Sequence, residues 1–141
     1  MKNTPRIFFQ LLFAACLFTA VSISHAAAPG ALESYLKIQD ALASDSMDAV
    51  AASSLEISKS ATSEKIKKAA LALSKAADIK STRLLFKSLS AEMLTSVNHK
   101  APSGLSIVTC EMAHASWLQK AGPVRNPYYG KSMLECGEVQ K

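Results

Sequence analysis

Two short strings in the last third of the chain place sulfur atoms close together: Cys110-Glu111-Met112 and Met133-Leu134-Glu135-Cys136. In an extended chain residues i and i+2 point to the same side. The Cys110 thiol and the Met112 thioether would then share a face, and His114 would continue the alternation. Residues three apart lie on one side of a helical turn, which would put Met133 beside Cys136. If the two strings meet, the candidate metal set is Cys110, Met112, His114, Met133 and Cys136. Soft thiolate and thioether ligands select Cu(I), with imidazole also acceptable, and Ag(I) fits by the same softness. Zn²⁺ fits less well, because structural zinc sites use four Cys or His ligands. The same cysteines can instead form a Cys110–Cys136 disulfide, stabilising by about 3 kcal/mol on a loop-entropy model. The methionines would then be core gap-fillers. An oxidised pair offers no thiolates, so the two readings compete. A redox-switched site is a third reading.

Little else in the chain suggests chemistry. There is no Gly-rich phosphate loop, no Gly-x-Ser-x-Gly elbow and no His-Glu-x-x-His helix, so the expectation is a non-enzyme. Cys110 with His114 and Asn126 matches a thiol hydrolase in residue type only. His99 reads as a cation near a helix C-terminus. Trp117, Tyr128 and Tyr129 read as aromatics that pack the segment onto its support. On the disulfide reading they form, with Asn126, a partner-binding surface of an interaction module. Asn126-Pro127 and Gly130 carry the backbone requirements of a tight turn.

The N-terminus looks like an export signal. Lys2 and Arg6 form a basic start, residues 7–23 are apolar except for Gln10, Thr19 and Ser22, and Ser24-His25-Ala26 offers a small-residue cleavage site. A run of about 17 residues is at the lower edge of what spans a bilayer. Residues 1–26 are therefore expected to be a cleaved signal peptide, with no stable membrane insertion afterwards and a periplasmic or secreted product. The full chain has 141 residues, 16 Lys+Arg against 11 Asp+Glu, and a net charge of +5. Cleavage leaves 115 residues with 14 basic and 11 acidic side chains, a net +3 that is too mild to argue for nucleic acid. It also removes Cys16, so an odd cysteine count becomes an even pair suited to an oxidising compartment. A hydrophobic fraction of 49% excludes a disordered chain.

The elements that must position the sulfur strings fall into two unlike parts. No Gly or Pro occurs from Ala31 to Ala101, a stretch rich in helix-favouring residues. Apolar spacing predicts helices over 31–44, 46–60, 63–77 and 79–98. Ser44-Asp45-Ser46, Thr62-Ser63-Glu64 and Asp78 serve as turn and cap signals. Lys65, Lys67, Lys68 and Lys75 read as a solvated face of the third helix. Short turns imply antiparallel neighbours. The expected fold is all-α: an antiparallel up-down four-helix bundle in one domain, 27–141, ending in a Cys/Met-bearing segment, 102–141. Within that segment 105–110 is predicted extended, and the region holds three of the four mature prolines and four of the five glycines.

The strings Cys110-Glu111-Met112-Ala113, Trp117-Leu118-Gln119, Asn126-Pro127-Tyr128-Tyr129-Gly130 and Met133 with Cys136-Gly137 resemble an uncharacterised exported bacterial domain family. That family occurs alone or at the C-terminus of CusB/HlyD-type adaptor subunits of heavy-metal efflux systems. Arg83 and Phe86 match its Arg-x-x-Phe pattern in the helical region. The family pattern has Pro between the first Cys and Met, where this chain has Glu111, and a longer stretch before the Trp. The resemblance implies copper or silver handling, with a periplasmic efflux adaptor as partner.

Overall fold

The computed structural model describes residues 29–141, so the expected signal peptide lies outside the described residues. Four helices come first: α1 (Pro29–Ala43), α2 (Val50–Ser60), α3 (Glu64–Leu73) and α4 (Ile79–Ser96). Among the described residues no helix is long and apolar enough to cross a membrane. Two of the predicted caps form. The Ser63 side chain accepts from the Ile66 N–H at the start of α3, and Asp78 accepts from the Ser81 N–H at 2.9 Å at the start of α4. Helix α2 starts four residues later than the spacing predicts. Ser46 accepts from the Asp48 N–H in a local turn, and Ala49, at φ 62°, enters the helix without a side-chain cap.

Each helix packs on the next, and their apolar stripes form one core. Ile38 and Leu42 of α1, Val50 and Ile57 of α2, Ile66, Ala70 and Leu73 of α3, and Phe86, Leu89 and Met93 of α4 are all buried. The α3 lysines lie on the outer side, where Lys67 pairs with Glu64 at 2.7 Å.

The all-α expectation is overturned. After α4 come β1 (Leu105–Cys110), β2 (Ala115–Lys120) and β3 (Glu138–Val139), a three-stranded antiparallel sheet in the order β2-β1-β3. The fold is therefore α+β. Strand β1 lies where its β-branched residues predict it. Strand β2 contains no β-branched residue and forms because β1 pairs with it along its whole length, from Leu105 opposite Lys120 to Cys110 opposite Ala115.

The sheet packs on both faces. Ile107 and Leu118, opposite each other, join the helical core, while Val108, Cys110 and Trp117 form a second core with Ala113, Val124, Tyr129 and Cys136. Helices α1 and α4 both pack on β2. Tyr35 joins all three elements. Its ring stacks on Phe86 at 5.1 Å, and its hydroxyl hydrogen-bonds Ser90 at 2.8 Å and accepts from the Leu118 N–H at 3.2 Å. That last contact satisfies a backbone donor on the outer edge of β2, which burial would otherwise leave unpaired. Burial pushes the Tyr35 phenol far above its ordinary value.

Candidate thiol and thioether site

Residues 121–137 pack against Val108, Cys110 and Trp117 of the sheet and also against α1 and α4, and buried polar side chains hold them there. Gln119, on β2, is almost fully buried. Its amide nitrogen donates to the carbonyls of Pro123 at 2.8 Å and Lys120 at 3.3 Å, and its oxygen accepts from the Trp117 indole at 3.1 Å and the Arg125 N–H at 3.0 Å. Asn126 is fully buried. Its oxygen accepts from the N–H groups of Tyr128 and Tyr129, and its nitrogen donates to the Cys136 carbonyl at 2.7 Å. Both amides use donors and acceptors together, so each replaces the water that this irregular backbone would otherwise need.

Two arginines tie the same segment to the helices. Arg83 of α4 donates from Nε to the Pro127 carbonyl at 2.9 Å. Its Nη2 reaches the Leu42 carbonyl at 3.0 Å and the Asp45 carboxylate at 2.6 Å. Asp45 also accepts from the Lys131 N–H at 3.1 Å. The Arg83 bond, helped by the Lys131 N–H, holds the Asp45 carboxyl below its ordinary value. Gly130 packs against this pair at φ 56°, and a Cβ there would collide with the Asp45 carboxylate and the Arg83 guanidinium. Arg125 bonds Asp40 and Ser44, while Gln39 donates to the Arg125 carbonyl at 2.7 Å.

This scaffold brings the two cysteines together. Cys110 ends β1, Cys136 follows a turn in which its N–H donates to the Met133 carbonyl, and their Sγ atoms are 2.9 Å apart as free thiols. Gly137 allows the approach: at φ 151° it lies against Val108 and Trp117, where a Cβ would come within 3 Å of both side chains. Cys110 is buried and Cys136 half-buried. Burial works to raise the Cys110 thiol. The Cys136 S–H, the N–H groups of Ala113 and Met112, and the Asn126 amide outweigh it, and the net direction is down. Cys136 moves up, first because its proton is shared with Cys110, then through burial and the negative charge of Cys110. The two thiols thus share a proton, and loss of the first proton belongs to the pair.

Of the other predicted ligands, Met112 lines the same cleft as the pair. It is 60% exposed and lines, with Cys110, Cys136, Glu111 and Glu138, an open cleft of about 490 Å³. His114 does not follow the expected alternation. Residues 111–114 turn between β1 and β2, and His114, at φ 46°, lines a second cavity between α4 and the hairpin, with His99 and Lys87; Cys110 and Glu111 line both cavities, whereas Met112 and Cys136 line only the first. Met133 is half-buried on the turn before Cys136 and is not among the residues lining the cleft. Among the described residues no three His, Cys, Asp or Glu side chains cluster as a metal site. The sulfur-bearing side chains lining the cleft are therefore Cys110, Cys136 and Met112, softer groups than the four Cys or His ligands of a zinc tetrahedron.

No family model, curated protein or solved structure matches the chain.

The aromatic residues have structural tasks here. Trp117 is fully buried and meets Tyr128 edge-on at 5.7 Å, and Tyr128 also lies 6.0 Å from Phe86. With Asn126 also buried, only parts of Tyr128 and Tyr129 remain for a partner surface. No local pattern marks Gln119, Gln39 or Lys87 as a bonding partner of this segment, and Asp45 is expected only as part of a turn and cap cluster, not as the partner of Arg83. Each is a common surface residue type. Arg83 was marked only by the family resemblance.

Proposed function

We propose that this chain is an exported, non-enzymatic accessory that binds Cu(I) or Ag(I) through Cys110, Cys136 and Met112 and passes it to a heavy-metal efflux adaptor. The observation that supports this most is the Cys110–Cys136 contact at 2.9 Å with an exposed thioether on the same cleft. A large apolar side chain left in water at a hairpin tip contributes little to folding, whereas a thioether beside two thiols is a soft ligand. The shared proton and the N–H groups around Cys110 ease loss of the first proton from the pair, so a metal meets less proton competition there. An open cleft allows transfer to a second protein. The resemblance of the sulfur strings to the efflux-linked domain family supplies the partner class.

The test is competition between the reduced protein and a chromophoric Cu(I) chelator. Tight one-to-one binding is expected, lost in Cys110→Ser and Cys136→Ser and weakened in Met112→Ala. His114→Ala should leave it unchanged, and Met133→Ala reports whether a fourth sulfur joins. Absence of Cu(I) binding by reduced, folded protein overturns the proposal.

A second reading is favoured by the same sulfur contact. An exported pair this close is suited to oxidation, giving a Cys110–Cys136 disulfide that fastens the C-terminal segment of an interaction module. It predicts no titratable thiol in protein isolated from its native compartment. Two free thiols by mass and thiol counting would refute it.

A further inference from the structure

Met112 has little packing of its own, so its position as a ligand depends on the backbone of the hairpin tip. Two side chains from opposite sides hold that backbone. The Tyr129 hydroxyl donates to the Met112 carbonyl at 3.1 Å, and the Lys87 ammonium of α4 donates to the Ala113 carbonyl at 3.0 Å. The Met112 carbonyl and the Ala113 N–H belong to one planar trans peptide and point in opposite directions. A donor on the carbonyl polarises that peptide and strengthens the bond its N–H makes. The Ala113 N–H is near enough to the Cys110 sulfur to help lower that thiol. In the next peptide the Ala113 carbonyl accepts from Lys87, and the His114 N–H donates to the Glu111 carbonyl at 2.9 Å. The carbonyls of Met112 and Ala113 are therefore each held by a side chain from outside the hairpin, and the second peptide is also bonded through its N–H.

We infer that Tyr129 and Lys87 are positioning residues of the sulfur site, clamping the tip so that Met112 stays at the cleft beside Cys110. Neither side chain is a ligand. The inference rests on the soft-metal reading of this site, and it extends that reading by assigning two side chains a task it did not include. Tyr129 is itself set by its N–H bond to Asn126 Oδ1 at 3.1 Å, and Lys87 by its helix. The ligand geometry thereby depends on both the C-terminal segment and the helical layer. Groups that orient ligands from behind typically change metal affinity by about 10–100-fold.

The experiment compares wild type, Tyr129→Phe and Lys87→Met as reduced full-length mature protein. Two readouts are used: Cu(I) competition and hydrogen exchange of the Ala113 amide. Tyr129→Phe should weaken Cu(I) binding about tenfold and speed Ala113 exchange, with Lys87→Met acting in the same direction. The Tyr129→Phe loss should shrink in a Met112→Ala background, which a general structural defect would not produce. An equal loss in both backgrounds, or unchanged Ala113 exchange in Tyr129→Phe, overturns the clamp. If wild type itself binds no Cu(I), the functional proposal fails, and Ala113 exchange alone then decides the clamp.

Discussion

The helical layer and the C-terminal segment reach the folded state by different physics. The helices bury aliphatic and aromatic stripes at regular spacing, and neighbours in sequence are neighbours in space. The segment after β2 has little regular structure. It is held by Gln119, Asn126, Arg83 and Arg125, whose bonds run to backbone carbonyls and N–H groups as well as to side chains. Non-directional burial tolerates many apolar substitutions if volume is kept. A buried amide with its bonds filled tolerates almost none, because removing it leaves unpaired groups behind. The site therefore sits on the less tolerant region, where cysteine positions are specified by directed bonds.

That contrast can be broken by separating stability from thiol geometry. Ile57→Ala should give the largest loss of stability, about 2–5 kcal/mol by denaturant unfolding. Its native-state reactivity toward a thiol reagent should match wild type, since α2 packs against α1 and α3 and not the cleft. A change in native thiol reactivity would mean that the two regions are not independent. Asn126→Ala should cost about 1–3 kcal/mol for each group it orphans. It should expose Cys110 and Cys136 to the reagent even under conditions where the helical signal is unchanged. Unaltered thiol reactivity would show that the sulfur contact does not depend on directed bonds.

The smallest expected effect concerns the Asp45–Arg83 link between the two regions. The folded Asp45 carboxyl lies below its ordinary value of 3.8. Its contribution is therefore fully present above that value and is lost as pH falls through the lower folded value. Stability measured from about pH 5 downward should fall more steeply in wild type than in Asp45→Asn. Identical acid limbs would show that the link contributes nothing. Asp45 is well hydrated, so the difference is expected to be small.

The legible part of the fold was the part with local signals. Ser63 and Asp78 cap helices as their neighbours predict, Phe86, Leu89 and Met93 form the expected stripe, and Leu105–Cys110 is a strand as its β-branched residues suggest. The late start of α2 was hidden because Ala49 takes a left-handed conformation that alanine rarely adopts. Strand β2 was hidden because Ala115-Ser116-Trp117-Leu118-Gln119-Lys120 has no preference of its own, only a partner. His114 was misplaced for a related reason. Alternation assumes that the strand continues, and it ends at Cys110.

The sequence by itself determined the helical layer, the first strand and the two sulfur-bearing strings, since these follow from propensity, periodicity and residue type. Only the tertiary structure decided that the chain is α+β, that Cys110, Cys136 and Met112 share a cleft while His114 does not, and which buried amides hold them. Those outcomes depend on contacts between residues as many as 86 positions apart, such as Gln39 with the Arg125 carbonyl. The direction of a hydrogen bond across such a distance is set by how whole elements pack, and no local pattern encodes it.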